Sequence, residues 1–136
     1  HATISHSAIA YLHHGYPREE MVALYLAADV MLVTALRDGM NLVAKEYVAC
    51  RLRNDGVLVL SEFAGAADEL KNALLINPHD IEGLKEAMVT AARMPRREQT
   101  TRMRALRRRV HDNDVAHWST TFLDTLRHAS HHSSAR

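Results

Sequence analysis

The sequence predicts an open α/β domain, with a parallel sheet, helices on both faces and a helical C-terminus. Three observations carry this reading. Two solid apolar runs, Val30 to Thr34 and Val57 to Leu60, lack the polar alternation of a half-exposed strand and read as strands covered on both sides. Before and between them, apolar residues recur at helical spacing. Strand, helix, strand, helix and strand fit within roughly fifty residues, which calls for parallel βαβ units with right-handed crossovers.

Taken in order, residues 1–7 are polar and featureless and read as a disordered or truncated lead-in. Ile9 to Leu12 is expected as a short first strand ending at His13-His14-Gly15. Pro17 suits a helix's first position, and Met21, Leu24, Tyr25 and Ala28 then repeat at helical spacing. After the strand at Val30, a second helix is expected with Leu42, Val43, Val48, Ala49 and Leu52 as its apolar stripe, closed by the turn signal Asn54-Asp55-Gly56. The strand Val57 to Leu60 leads into Ser61-Glu62-Phe63-Ala64-Gly65, a short helix over Ala66 to Ala73, and a short strand Leu74 to Ile76 stopped by Asn77-Pro78. Asp80 caps the next helix, with Ile81, Leu84, Met88 and Ala91 on one face, and Pro95 interrupts it. A further helix runs from about Arg96 to Val110 with Met103, Leu106 and Val110 inward. A last one starts near Asn113 and buries Val115, Trp118, Phe122 and Leu126, so that the domain spans 8–127 and a polar, frayed tail follows over 128–136.

Length and composition narrow the function classes. The 136 residues make one ordinary domain, and a chain that begins at His1 is expected to be a piece of something larger. With 17 Lys and Arg against 16 Asp and Glu, neither nucleic acid nor membrane is implied as a partner. The apolar runs are far short of the roughly 20 residues that span a bilayer. Cys50 stands alone, so there is no disulfide framework, and a reducing cytoplasm is the default location. The cluster Arg102, Arg104, Arg107, Arg108 and Arg109 lacks interleaved aromatics and reads as a solvated helix face. The ten histidines lack ligand spacing, so no metal site is expected, and no cofactor. Ser61 follows a strand without the glycine-flanked elbow of hydrolases.

In an open parallel sheet, ligands bind beyond the carboxyl ends of the strands. The loops expected there are His13 to Tyr16, Ala35 to Met40 and Ser61 to Gly65, and Tyr16 falls where an aromatic can back a nucleobase. The run Arg37-Asp38-Gly39-Met40-Asn41-Leu42-Val43-Ala44-Lys45-Glu46 reads as strand, glycine turn and helix start. Gly39 permits a tight turn with backbone close to a ligand, and Asn41 can cap the helix while its first amides point outward. Such an end attracts anions. Asp38 and Glu46 flank it, and carboxylates repel phosphate but accept hydrogen bonds from sugar hydroxyls, so a sugar nucleotide suits the whole arrangement. The same pattern also fits an ordinary strand-to-helix junction with an acid nearby.

The run Ala28 to Tyr47, with its Arg-Asp-Gly-Met-Asn-Leu-Val core, closely resembles the donor-site segment of trehalose-6-phosphate synthases. So do Val57 to Ala67, Asn77-Pro78-His79-Asp80, and Asn113-Asp114 followed by Trp118, and the similarity extends from about Ala8 to Leu126. The resemblance implies the Rossmann-like C-terminal half of a two-domain GT-B glycosyltransferase. Such an enzyme transfers glucose with retention from UDP-glucose to glucose 6-phosphate, without a metal. Carried over by position, Asp38 is the catalytic-site acid that bonds the donor glucose, with the backbone of Gly39, Met40 and Asn41 beside the same sugar. The amides of Leu42 and Val43 hold the pyrophosphate, Glu46 takes the ribose hydroxyls, and Tyr16 lies beside the uracil.

The departure from the family is absence. Set against the resemblance, the N-terminal domain expected to bind glucose 6-phosphate is not found within these 136 residues, nor is the basic pair expected to neutralise the donor phosphates. The expectation is therefore a donor-binding part that is inactive alone. In the family the last helix crosses back towards the N-terminal domain, so the Trp118 and Phe122 region is expected to lack cover and the chain to self-associate as a homo-oligomer. A non-catalytic domain that binds a nucleotide sugar or a protein, or a related transferase using GDP-glucose or ADP-glucose or another acceptor, are the alternatives these residues leave open.

Overall fold

The computed structural model describes residues 9–133. Its elements are α1 (Arg18–Ala27), β1 (Val30–Val33), α2 (Leu42–Cys50), β2 (Val57–Ser61), α3 (Ala66–Glu69), β3 (Leu74–Ile76), α4 (Ile81–Arg93), α5 (Arg96–Asp112) and α6 (Val115–Ser133). The three strands form one parallel sheet in the order β1-β2-β3, with Val30 opposite Val57 and Val59 opposite Leu74. The open α/β class read from the apolar runs is the one observed.

β2 is the middle strand and is buried at every position, which explains its unbroken apolar run. Leu58 and Leu60 face a core shared with Val33, Tyr25, Ala44, Tyr47, Val48, Met103 and Leu106, which belong to β1, α1, α2 and α5. Val57 and Val59 face the other way, onto Ile76, Ala91 and Met94, so α4 covers the second face. Each fully buried side chain of this kind contributes roughly 1.5–3 kcal/mol. Asp80 caps α4 as expected, its Oδ1 accepting from the Gly83 amide at 3.0 Å.

Several expectations give way. Residues 9–14 form no strand, and Tyr11 is 83% exposed; four apolar residues hold a strand only when a neighbouring strand takes up their hydrogen bonds. Of the apolar stripe expected for α2, only Val48 turns inward. The helix's buried residues are Ala44, Tyr47 and Val48, with Arg51 just beyond, while Leu42, Val43 and Leu52 are exposed. Tyr and Arg carry apolar bodies with polar tips, and here both tips find carbonyl oxygens inside, so a stripe drawn from the aliphatics alone misses them. Ile81 and Met88 on α4 are also exposed. The short helix after Gly65 stops at Glu69, where Leu70 leaves helical geometry and the chain turns towards β3.

The C-terminal region differs too. α6 continues through Ser133, so residues 128–133 are helical; no Pro or Gly interrupts them. The lead-in 1–7 and residues 134–136 of the tail lie outside the described residues. The face of α6 expected to be buried is open, with Trp118 56% and Phe122 49% exposed and their rings stacked at 5.3 Å. The arginine face of α5 is only partly solvated. Arg102 donates to the Asn72 carbonyl at 3.2 Å, and Arg107 donates to Asn54 Oδ1 at 3.0 Å, tying α5 to two turns. No helix among the described residues is long and apolar enough to cross a membrane.

Candidate functional site

Parallel strands β1 and β2 deliver two loops to the same edge, and backbone hydrogen bonds sew them together. The Asp38 amide donates to the Phe63 carbonyl at 3.2 Å, the Gly65 amide to the Asp38 carbonyl at 3.0 Å, and the Ala66 amide to the Met40 carbonyl at 2.7 Å. Gly65 is needed here for space: a Cβ on it would overlap the Gly39 carbonyl oxygen. Gly39 itself has open space where its Cβ would be, and the left-handed residue is Asn41, with φ 73°. The tight turn expected of Gly39 is therefore made two residues later, by a side chain type that tolerates that region.

Asn41 does two jobs. Its Oδ1 accepts from the Ala44 amide at 3.0 Å and caps α2, while its Nδ2 donates to Asp38 Oδ2 at 2.9 Å. The Met40 amide donates to Asp38 Oδ1 at 3.1 Å. These bonds, first that of Met40 and then that of Asn41, hold the Asp38 carboxyl below its usual range, so it is ionised and aimed. Beyond it, the amides of Leu42 and Val43 open the first turn of α2 with no acceptor among the described residues. An anion placed there meets two N–H groups and the positive end of the helix.

Glu46 lies one turn further along α2, on the side of Leu42 and Val43, as the helical repeat requires. Its Oε2 accepts from the Tyr25 phenol at 2.9 Å. Burial, and then the Glu46 carboxylate, push that phenol up to about 12, so it is a donor at any ordinary pH. The seven residues from Asp38 to Val43 and Glu46 are thus brought to one helix mouth. Tyr16 is not tied to them: with no strand before it, it is half-buried against His14, ring centroids 4.2 Å apart.

Two features of this edge escape sequence reading. Lys45 reaches Glu69 at 2.8 Å and joins α2 to α3, and a cavity of about 690 Å³ opens between Met40, Leu42, this ion pair and Trp118 of α6. The Tyr25 hydroxyl is the other, since Tyr25 reads only as one more apolar position of α1. Gly65 had a signal, the run of small residues Ala64 to Ala67 directly after a strand. Among the described residues no group of three His, Cys, Asp or Glu is placed to hold a metal ion.

The family model described as Glycosyltransferase family 20 matches residues 1–128. A relative named trehalose-6-phosphate synthase, from Mycobacterium leprae, is 56% identical over 126 residues, covering 93% of this chain and 25% of the relative. Among solved structures, an alpha,alpha-trehalose-phosphate synthase (UDP-forming) from Burkholderia xenovorans, in complex with glucose-6-phosphate, superposes with a TM-score of 0.86 at 46% identity, covering 90% of this chain and 27% of that one. A chain from E. coli bound with UDP-2-fluoro glucose superposes with a TM-score of 0.81 at 44% identity, covering 85% of this chain and 26% of that one. The chain spans about a quarter of the length of these relatives.

Proposed function

The chain belongs to glycosyltransferase family 20, and from that premise we propose that it is the donor-binding part of a trehalose-6-phosphate synthase, seating UDP-glucose for transfer of glucose to glucose 6-phosphate with retention. The observation that carries the reading is the combination at one helix mouth of an aimed, ionised Asp38 with the two open amides of Leu42 and Val43. Either feature alone is common, whereas together they match a ligand with phosphates at one end and hydroxyls at the other. A related structure bound with a UDP-sugar analogue and another with glucose-6-phosphate support the substrate pair.

On this reading Asp38 accepts hydrogen bonds from the donor glucose, and the backbone from Gly39 to Asn41 lies along the same sugar. The amides of Leu42 and Val43 hold the pyrophosphate, Glu46 takes the ribose, and Tyr16 lies beside the uracil. Transfer with retention proceeds at one face. The bond from the glucose anomeric carbon to the phosphate oxygen breaks as the acceptor hydroxyl bonds to that carbon, and a phosphate oxygen of the leaving UDP takes the proton. The protein's contribution is placement and field: negative charge grows on the leaving phosphate, where the helix amides already point. The chain covers about a quarter of its relatives' length; on this reading the acceptor site and the remaining positive charge lie in the parts it does not cover, and the 136-residue chain by itself is expected to carry out no transfer.

The test is kinetic. In the full-length protein, Asp38→Ala and Glu46→Ala each abolish most glucosyl transfer, with losses on the order of a hundredfold for Asp38→Ala. Full activity in both variants refutes the assignment.

A further inference from the structure

We propose that Tyr25 is a positioning residue for the donor ribose: from inside the α1 and α2 packing, its phenol fixes the Glu46 carboxylate in the orientation that receives the ribose hydroxyls. This rests on the assignment of Glu46 to the ribose made above. Glu46 is exposed, and a free glutamate side chain has three torsions to settle before its carboxylate can meet two neighbouring hydroxyls. Its Oε2 instead accepts from Tyr25 Oη at 2.9 Å, across two helices and 21 positions of sequence.

The donor end of that bond is rigid. Tyr25 is 4% exposed, and its ring meets Tyr47 edge-on with centroids 6.4 Å apart. Its carbonyl accepts from Arg51 Nη1 at 3.1 Å, and Tyr47, fully buried, donates to the Ala28 carbonyl at 3.1 Å. A run of fixed groups thus leads from the core to a side chain at the surface. The phenol, protonated up to about 12, occupies one of the roughly four acceptor positions of the carboxylate and leaves the others for hydroxyl donors. A tyrosine kept only to fill the core has no need of its hydroxyl, and Phe would pack there equally well.

The experiment compares, in the full-length protein, kcat/KM for UDP-glucose with kcat/KM for an analogue lacking both ribose hydroxyls. The ratio is taken within one preparation, so a variant that folds incompletely still reports it. Glu46→Gln collapses the ratio if the ribose assignment holds. Tyr25→Phe is expected to lower it about fivefold, through the KM for UDP-glucose with kcat nearly unchanged, and to add little in the double variant with Glu46→Gln. Tyr25→Met, which fills the space without a hydroxyl, is expected to do the same. A wild-type ratio in both Tyr25 variants alongside a collapsed ratio in Glu46→Gln overturns the positioning role alone. An unchanged ratio in Glu46→Gln overturns the ribose assignment, and the positioning role with it.

Discussion

Asp38 shows how much a single carboxylate depends on its immediate neighbours. The Met40 amide and the Asn41 side chain stabilise its charged form, so its folded pKa lies below the ordinary one. A group shifted this way contributes stability above its unfolded pKa and loses it as pH falls through the folded value. Donor binding that needs the carboxylate should likewise persist below the usual carboxylate range. Asn41→Gly tolerates the left-handed φ of 73° but removes one of the two donors, so the acid limb of the kcat/KM profile should move to higher pH. An acid limb that stays in place would separate Asp38 from donor binding. The Asn41 cap on Ala44 was legible in the sequence because the two lie three positions apart at a helix start, whereas the bonds from Met40 and Asn41 to Asp38 came into view only with the turn itself. The pairs Tyr25–Glu46 and Lys45–Glu69 were not legible either, because partners 21 and 24 positions apart meet only once helices pack.

At the scale of elements, the C-terminal end of α1 is held by a side chain from beyond α2. Arg51 is 4% exposed, and its Nη1 lies within 3.1 Å of the carbonyls of Tyr25, Leu26 and Ala28, while its Nε pairs with Asp55 at 3.0 Å. Buried guanidinium charge is tolerable because its Nη1 and Nε both face carbonyl or carboxylate acceptors. The turn that makes room for it contains Gly56, whose φ is 78° and whose missing Cβ would overlap the Tyr47 hydroxyl. Gly56→Ala should therefore destabilise the fold by about 1–3 kcal/mol, read as a lowered melting temperature, and a variant as stable as wild type would show that the turn yields easily. β2 was legible because burial on both faces leaves an unbroken apolar run, while β1, expected to be covered on both sides, leaves Leu32 39% exposed. The inward face of α2 was not legible, since its Tyr and Arg look polar until the carbonyls that receive them are in view. The strand expected at Ile9 to Leu12 did not form: among the described residues the sheet holds only β1, β2 and β3.

Across the whole molecule, one edge carries the site and another surface is left uncovered. Val115, Trp118, Phe122 and Leu126 line an exposed face of α6, next to the cavity that adjoins Met40 and Leu42. Contiguous apolar surface of this kind drives association in water. The isolated 136-residue chain should self-associate and bind an apolar dye, and a clean monomer by light scattering with no dye binding would count against this. The family relation was legible from the Arg37 to Val43 run.

The central claim concerns where the donor sits, and a crystal structure of the full-length protein with UDP-glucose bound tests it most directly. The account predicts the pyrophosphate on the amides of Leu42 and Val43, the glucose hydroxyls on Asp38 and the ribose on Glu46. A donor seated away from the first turn of α2, with Asp38 and Glu46 both out of contact, would contradict it.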